Sequence, residues 1–184
     1  LGGHQEAYVR PAYPGSHPAL NVDEAVRRGE LKCYWVGGCN PVLTTMKAEA
    51  MENSMVERGR PVQAAIDATV GRPVGERVAH IVEALKDGGM FLITQDIYMT
   101  ETAKLAHLVL PAAQWGETEL TSINGERRLR LYERFMDPPG KAIPDWEIMA
   151  RFAKRIRKLY LEDENPLMAN RFLDFDWRKP EDVF

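Results

Sequence analysis

The chain has 184 residues, of which 45% are hydrophobic and 28% are charged, a composition typical of an ordinary globular protein. Lys and Arg number 24 against 27 Asp and Glu, and the resulting net charge of -3 gives no basic field that would attract nucleic acid. No apolar run approaches the roughly 20 residues that cross a bilayer, so the sequence predicts no membrane span.

The beginning of the chain predicts a loop followed by a short helix. The first residue is Leu1 rather than Met and no secretory signal follows it, so we expect the chain to be a piece of a longer protein. Residues 1–20 contain three prolines among polar residues, which favours a loop. Asn21 to Gly29 carries a helix start signal and a terminal glycine, which predicts one short helix.

The first predicted strand, Leu31–Val36, is rich in aromatic and apolar residues and ends at the small-residue loop Gly37–Pro41. Cys33 and Cys39 are separated by this strand, and six extended residues span about 20 Å. We therefore expect no disulfide between them, since bridged Cα atoms lie within about 7 Å. The sequence also has no Cys/His cluster with the spacing of a metal site.

The middle of the chain predicts two helices and a buried strand. Residues from about Thr45 to Arg58 are compatible with a helix, whereas residues 59–74, with two prolines, give no clear pattern. Residues Val74–Asp87 carry apolar side chains along one helical face and end at a pair of glycines. Strand Met90–Thr94 is almost continuously apolar, which is typical of a parallel sheet covered on both faces.

The second half predicts a short helix over Thr100–Leu105 and a third strand, His107–Leu110. The three strands should be parallel neighbours in an α/β fold, with the helix over Val74–Asp87 packed on one sheet face. Further on, Arg127–Leu131 is an extended run of alternating character, and Asp145–Tyr160 is strongly amphipathic.

The predicted strand ends carry residues suited to a nucleotide. Ligands of open parallel sheets bind outside the carboxyl ends of the strands, where Asn40 and Asp96 lie in this sequence. Backbone N–H groups and the hydroxyl of Thr44 or Thr45 can meet phosphate, and the Asp96 carboxylate can accept from ribose hydroxyls or guanine N–H groups. The alternative is purely structural: Asn40-Pro41 is a turn, and Asp96 begins the next helical segment.

Several motifs, in order and at the right separations, resemble the molybdopterin-dinucleotide oxidoreductases of the dimethyl sulfoxide reductase family. They are Trp35–Pro41, Gln95–Ala103, Ala106–Ala113, Gly116-Glu117, Asn124–Arg128 and Pro144–Trp146. The resemblance covers most of the chain. It implies a parallel-sheet, dinucleotide-binding-like domain that is part of a larger multidomain molybdopterin oxidoreductase and that holds the guanosine of one pterin cofactor.

Within that family the chain is similar to the arsenite oxidase large subunits. Residues 2–15, 120–131 and 135–140 resemble that branch, as does the pair Ala106-His107, because most other relatives carry Asp in place of His107. In contrast, Gln95–Thr102 is more similar to formate dehydrogenases and nitrate reductases. We therefore interpret the chain as an outlying arsenite oxidase or a close sister of that branch.

The resemblance also implies roles for individual residues. Those placed at the guanosine and phosphates of the cofactor are Asn40, Thr44, Gln95, Asp96, Asp145 and the backbone of Ala112. His4 is implied to lie in the arsenite pocket, where an imidazole can hydrogen-bond to the hydroxyls of neutral As(OH)₃. The structural alternatives are that Asp145 is a helix N-cap and that His4 bonds a carbonyl in a proline-rich loop.

The organisation implied for the whole protein follows from the same resemblance. Residues 1–20 are a substrate-pocket loop, 21–160 the domain that binds molybdopterin guanine dinucleotide, and 161–184 a packing tail or linker. The complete subunit would oxidise arsenite to arsenate on molybdenum bis(molybdopterin guanine dinucleotide). It would pass two electrons through an iron–sulfur cluster, located outside this chain, to a Rieske-type small subunit. A periplasmic or cell-envelope location is also implied, and we expect the chain alone to be inactive.

Two other functions remain open at this point. One is formate dehydrogenase or nitrate reductase chemistry on the same scaffold, which needs a protein ligand to molybdenum that this sequence does not show. The other is a nucleotide-binding module without redox chemistry.

Overall fold

A computed structural model describes residues 18–124, 127–179 and 182. The chain divides into two compact units, one ending at Val109 and the other beginning at Leu110. His4 and the rest of the predicted substrate-pocket loop before Pro18 lie outside the described residues.

The first unit is built on a parallel sheet, as predicted. Strands β1, β2 and β3 are hydrogen-bonded in that order, and β1 pairs with β2 in parallel from Cys33 opposite Phe91 to Gly37 opposite Gln95. The elements are α1 (Pro18–Arg28), β1 (Cys33–Gly37), α2 (Pro41–Thr44), α3 (Ala48–Ala68), α4 (Val74–Lys86), β2 (Phe91–Asp96), α5 (Glu101–Lys104) and β3 (Leu108–Pro111). Cys33 and Cys39 are both free and exposed, which confirms that they do not pair.

One hydrophobic cluster joins the helices to the central strand. It consists of Val26, Val36, Val42, Met51, Met55, Met90 and Leu92. The four central residues of β2, Leu92 to Gln95, are all buried. This pattern confirms the expectation that a nearly continuous apolar strand is covered on both faces.

Helix boundaries differ from the prediction in two places. Helix α1 begins at Pro18, inside the predicted loop, because proline suits the first turn of a helix, where its missing N–H is not needed. Helix α3 runs through Pro61 to Ala68 rather than ending near Arg58. Its buried face includes Gly59 and Val62, so tertiary packing maintains the helix on both sides of the proline.

Helix α4 confirms the predicted helix but not its predicted position. It packs on α3, and α3 in turn contacts β2. Val74, Val78 and Val82 are 72%, 51% and 41% exposed, so much of the apolar stripe faces away from the core. The prediction that this helix packs on the sheet is therefore wrong, because α3 occupies the layer next to β2. The hydrophobic periodicity of α3 is too weak to have indicated this.

The second unit contains an antiparallel hairpin and a long helix. Strand β4 (Leu120–Asn124) pairs with β5 (Arg128–Tyr132), which confirms the extended character predicted for the arginine-rich run. Helix α6 (Asp145–Glu162) follows, and the chain continues through α7 (Pro166–Ala169) and a 3-10 helix (Asn170–Phe175). Phe172 stacks on Tyr160 of α6, with ring centroids 6.2 Å apart.

Candidate functional site

The carboxyl ends of β1 and β2 form one edge in the first unit. Gly37 lies opposite Gln95, and the Gly38 N–H donates to the Gln95 carbonyl over 2.9 Å. The loop that carries Asn40 and the loop that follows Asp96 therefore begin side by side. Parallel strands present their ligand sites at this edge, so a ligand of this sheet would contact residues from both loops.

Asn40 lies at the centre of a hydrogen-bond network that joins the β1 loop to α5. Its Oδ1 accepts from the Thr102 hydroxyl over 2.7 Å and from the Thr102 N–H over 3.2 Å. Its Nδ2 donates to Oε2 of Glu101 over 2.7 Å. The hydroxyl oxygen of Thr102, which is fully buried, also accepts from the Val42 N–H. The amide therefore connects two segments that are about 60 positions apart in the sequence.

Glu101 is an ionised partner in this network. The hydrogen bond from Asn40 holds the pKa of the Glu101 carboxyl below its usual value, and its own backbone N–H and Lys104 act in the same direction. Helix α5, which carries Glu101 and Thr102, is capped by Thr100, whose hydroxyl accepts from the Ala103 N–H over 3.1 Å. The cap and the network together fix the start of α5 against the β1 loop.

Thr44 is exposed, but its hydroxyl is directed toward the main chain of the β1 loop. The hydroxyl donates to the Asn40 carbonyl over 3.0 Å, and the Thr44 N–H donates to the same oxygen. A phosphate at this position would receive a hydrogen bond from the hydroxyl only after the side chain rotates away from that carbonyl. The Thr44 oxygen can still accept a hydrogen bond in the observed orientation.

Gln95 and Asp96 lie on opposite faces of β2, since side chains alternate along a strand. Gln95 is 4% exposed, and its Oε1 accepts from the indole N–H of Trp35 over 3.2 Å. Asp96 is half-buried and uses Oδ1 to accept from the Tyr98 N–H over 3.1 Å. Thr94, on the same face as Asp96, has a buried hydroxyl with no hydrogen-bond partner among the described residues.

Ala112 and Asp145 belong to the second unit. Ala112 pairs with Ile143 in a parallel bridge, in which Pro111 and Ala113 make the hydrogen bonds to Ile143. The N–H and carbonyl of Ala112 itself therefore face the opposite side. Asp145 is exposed and is the first residue of α6, after Pro144 at the N-cap position. The N-cap alternative for Asp145 is thus wrong, although its carboxylate still lies where the helix dipole favours negative charge.

A cavity of about 570 Å³ lies within the second unit, between the loop at Glu117 and the first turns of α6. Glu117 is 5% exposed and accepts hydrogen bonds from the backbone and side chain of Gln114. The Trp146 indole N–H is buried without a partner in the described part of the chain. The cavity wall carries charges of both signs, including the ion pair between Arg151 and Glu147, so it favours no single ligand charge.

His107, the residue that resembles the arsenite oxidase branch, is held by the main chain. The Leu92 N–H donates to Nδ1 over 2.9 Å, and Nε2 lies 3.0 Å from the Gly59 carbonyl. These two partners require the neutral ring with its proton on Nε2. Burial lowers the pKa of His107 below its usual value, even though the contact with Gly59 acts in the opposite direction.

Sequence reasoning missed three features of the edge. Glu101 and Thr102 lie within a motif that marked the family, but nothing in the local pattern links them to Asn40. The third feature is the exposed apolar segment after Asp96, in which Tyr98 and Met99 are 70% and 62% exposed. Three consecutive large apolar residues in a predicted loop would have been the signal for this segment.

The described residues contain neither a metal site of their own nor a membrane-spanning helix. No group of three or more His, Cys, Asp or Glu side chains among them is arranged to hold a metal ion. Within the same ranges, no helix is long and apolar enough to cross a membrane.

A molybdopterin cofactor was nevertheless implied by the motifs, and the edge of the first unit offers suitable groups for its nucleotide part. The amide of Asn40 and the carboxylate of Asp96 are donors and acceptors of the kind that a ribose, a base and phosphates need.

Comparison with known proteins indicates the same family as the motifs. Residues 76–155 match the family model described as molybdopterin oxidoreductase. The arsenite oxidase subunit AioA of Herminiimonas arsenicoxydans is 40% identical over 100% of this chain, which covers 22% of that protein. The iodate reductase subunit IdrA of Denitromonas iodatirespirans is 33% identical over 100% of the chain and 20% of its own length.

Formate dehydrogenases are also similar. The F420-dependent formate dehydrogenase alpha subunit of Methanocaldococcus jannaschii is 43% identical over 58% of the chain and 14% of its own length. The chain thus spans about a fifth of the length of the curated relatives that match all of it. The motifs, the parallel sheet and these similarities together lead to one conclusion: the chain belongs to the molybdopterin oxidoreductase family.

Proposed function

We propose that the chain is part of the molybdenum-containing catalytic subunit of an arsenite oxidase, which oxidises arsenite to arsenate. The observation that carries this proposal is the 40% identity to an arsenite oxidase subunit along the whole chain. The complete protein would hold two molybdopterin guanine dinucleotides around one molybdenum and would pass electrons through its own iron–sulfur cluster to a Rieske-type small subunit. By the same resemblance it would lie in the periplasm or at the cell envelope.

In this proposal the chain binds the guanosine end of one pterin cofactor at the carboxyl edge of β1 and β2. When bound, the molybdenum–pterin group supplies the two-electron redox chemistry. The residues of this chain bind and orient it. Asp96 uses one carboxylate oxygen for the Tyr98 N–H, and its other oxygen can accept from guanine N–H groups or ribose hydroxyls. Asn40 and Thr44 contact the same nucleotide from the β1 loop, and Gln95, whose Oε1 accepts from Trp35, contacts it from the end of β2.

By the family resemblance, Ala112 and Asp145 of the second unit are also proposed to bind the cofactor. The Ala112 peptide groups that do not face Ile143 offer one donor and one acceptor. The Asp145 carboxylate, exposed at the start of α6, offers acceptors for guanine N–H groups. His4 is proposed to bind the substrate through hydrogen bonds to As(OH)₃ rather than to bind the cofactor.

The test of the nucleotide site is cofactor retention in the complete subunit. Asp96→Ala should lower the molybdenum and the guanosine monophosphate released per chain, because a hydrogen bond to a charged group is worth about 1.5–3 kcal/mol. Asp96→Asn is the matched control for local folding, since its amide oxygen still accepts from the Tyr98 N–H. Full molybdenum and guanosine occupancy in Asp96→Ala would refute the assignment.

The test of the substrate is a comparison of turnover by the purified complete enzyme. Arsenite oxidation should exceed formate oxidation and the reduction of nitrate or iodate. The last is included because iodate reductase subunits match the whole chain at 33% and 31% identity. Faster formate or nitrate turnover would favour the alternative that Gln95–Thr102 suggested. A protein that binds nucleotide but no molybdenum would instead be a module without redox chemistry.

A further inference from the structure

The network around Asn40 limits what this amide can offer a ligand. An amide oxygen has two lone pairs, and Oδ1 of Asn40 uses both to accept from the N–H and the hydroxyl of Thr102. The amide nitrogen has two hydrogens, and one of them is donated to Glu101. Within the described ranges, a single N–H of Asn40 is left uncommitted.

The orientation of the amide is determined by its partners. If the amide were flipped, its NH₂ group would face the Thr102 N–H, and its oxygen would face the Glu101 carboxylate, so both contacts would become repulsive. The network is also anchored firmly, because Thr102 is fully buried and its hydroxyl bridges Asn40 and the Val42 N–H. Glu101 is ionised at neutral pH and so can only accept.

We propose that Asn40 donates its one remaining N–H to an acceptor oxygen of the bound nucleotide, and that Glu101 and Thr102 are positioning residues that hold the amide in this donor-only orientation. This inference rests on the proposed function, since it assumes that a nucleotide binds at this edge. It adds the polarity of the contact: Asn40 recognises an acceptor, such as a phosphate or ribose oxygen, and cannot accept from a guanine N–H.

The deciding variant exchanges the hydrogen-bond donor and acceptor between positions 40 and 101 without changing the net charge. In the double variant Asn40→Asp with Glu101→Gln, the new carboxylate at position 40 still accepts from both groups of Thr102. The amide at position 101 now donates to it, which replaces the original 2.7 Å hydrogen bond with one of opposite direction. The internal network is kept, but the atom facing the nucleotide becomes an acceptor with negative charge.

The experiment measures molybdenum per chain and its rate of loss during dialysis of the complete subunit. The double variant should unfold thermally like the wild-type protein but lose molybdenum at least about tenfold faster, the factor expected for one lost hydrogen bond to a charged group. The single variant Asn40→Asp should also lose molybdenum faster, and in addition it should unfold at lower temperature because two carboxylates then face each other. Wild-type retention in the double variant would overturn the proposal.

Variants of Thr102 test the positioning role separately. Thr102→Val keeps the shape but removes the hydroxyl, so molybdenum loss should accelerate several-fold, whereas Thr102→Ser should restore wild-type retention. In the Asn40→Asp background, Thr102→Val should cause no further loss, because the two residues act through one contact. An additive effect would make Thr102 merely structural and contradict the inference. If Asp96→Ala loses molybdenum while the double variant at positions 40 and 101 retains it, the nucleotide site stands and only this inference fails. If neither loses it, both fail.

Discussion

His107 provides the sharpest stability test, because its two ring nitrogens are both bonded to the main chain. His107→Ala removes the acceptor of the Leu92 N–H and the donor to the Gly59 carbonyl. Leu92 is 1% exposed, so water cannot easily replace the lost acceptor. A buried donor left without a partner costs about 1–3 kcal/mol, and the hydrogen bond to Gly59 contributes about 0.5–1.5 kcal/mol. We expect the free energy of unfolding to fall by about 2–4 kcal/mol.

The same contacts predict a pH dependence. The pKa of His107 is lowered in the folded chain, so the unfolded state takes up a proton first as the pH falls below 6.5. The stabilisation from the neutral ring is complete above pH 6.5 and is lost as the pH falls toward the lowered folded pKa. His107→Asn keeps an acceptor for the Leu92 N–H without a titrating ring, so its stability should fall less between pH 7.5 and 5.5 than that of the wild-type chain.

Urea unfolding followed by circular dichroism measures both effects. His80→Asn on α4 is the matched control, because it removes an exposed histidine and should change the free energy of unfolding at pH 7.5 by no more than about 0.5 kcal/mol. Equal losses of stability between pH 7.5 and 5.5 in the wild-type chain and in His107→Asn would refute the reasoning. So would a His107→Ala chain as stable as the wild type.

The remaining predictions concern separate parts of the chain. Gly29→Ala should destabilise the chain by at least about 1 kcal/mol, since φ is +72° and the added Cβ would lie 2.5 Å from the Arg58 guanidinium. Gly75→Ala, in the first turn of α4 where nothing lies within 4 Å of the added Cβ, should stabilise it by about 0.4–1 kcal/mol, and urea unfolding compares the two variants. Thr100→Ala should cost about 1 kcal/mol in the same assay by removing the cap of α5, with Thr100→Ser as the control. His4→Ala should lower kcat/KM for arsenite in the complete enzyme without changing molybdenum content; unchanged kinetics would leave His4 a structural residue.

The strands and the amphipathic helices could be predicted because their signals are local. Strand β2 is marked by five apolar or small residues in a row, and α6 by the spacing of its apolar residues, so both are found within a few positions of their predicted bounds. That the three strands are parallel neighbours followed from the alternation of strands with helices, whereas their order β1-β2-β3 comes from the structure.

The failures arise where distant contacts override local pattern. Pro61 favours the end of a helix, but α3 continues through it because its buried face packs in the core and the carbonyl of Arg58 accepts from the Met90 N–H. The stripe of valines on α4 indicated a helix against the sheet, whereas α3 already occupies that layer. A pattern shows that a face is apolar, but not which neighbour will cover it.

The candidate site, like the fold, could be predicted only in part from the sequence. That Asn40 and Asp96 lie near strand ends was predictable from the sequence, since each comes within about four residues of the end of an apolar run. That Asn40 is fixed by Glu101 and Thr102 was not, because the partners are 61 and 62 positions away and each has an ordinary local role at the start of α5. The direction of a hydrogen bond, and hence the chemistry that a residue offers a ligand, depends on such contacts.

The structure also changes the interpretation of His107 as a sign of the substrate. The pair Ala106-His107 was one reason to place the chain near the arsenite oxidases, but both ring nitrogens are used by Leu92 and Gly59, which leaves no ring nitrogen to bind arsenite. An Asp at this position would satisfy the Leu92 N–H as an acceptor but could not donate to the Gly59 carbonyl. An Asp in place of His107 would therefore weaken the attachment of α3 to β2. His107 thus supports the proposed arsenite oxidase assignment only as part of a sequence resemblance, because its observed contacts are structural.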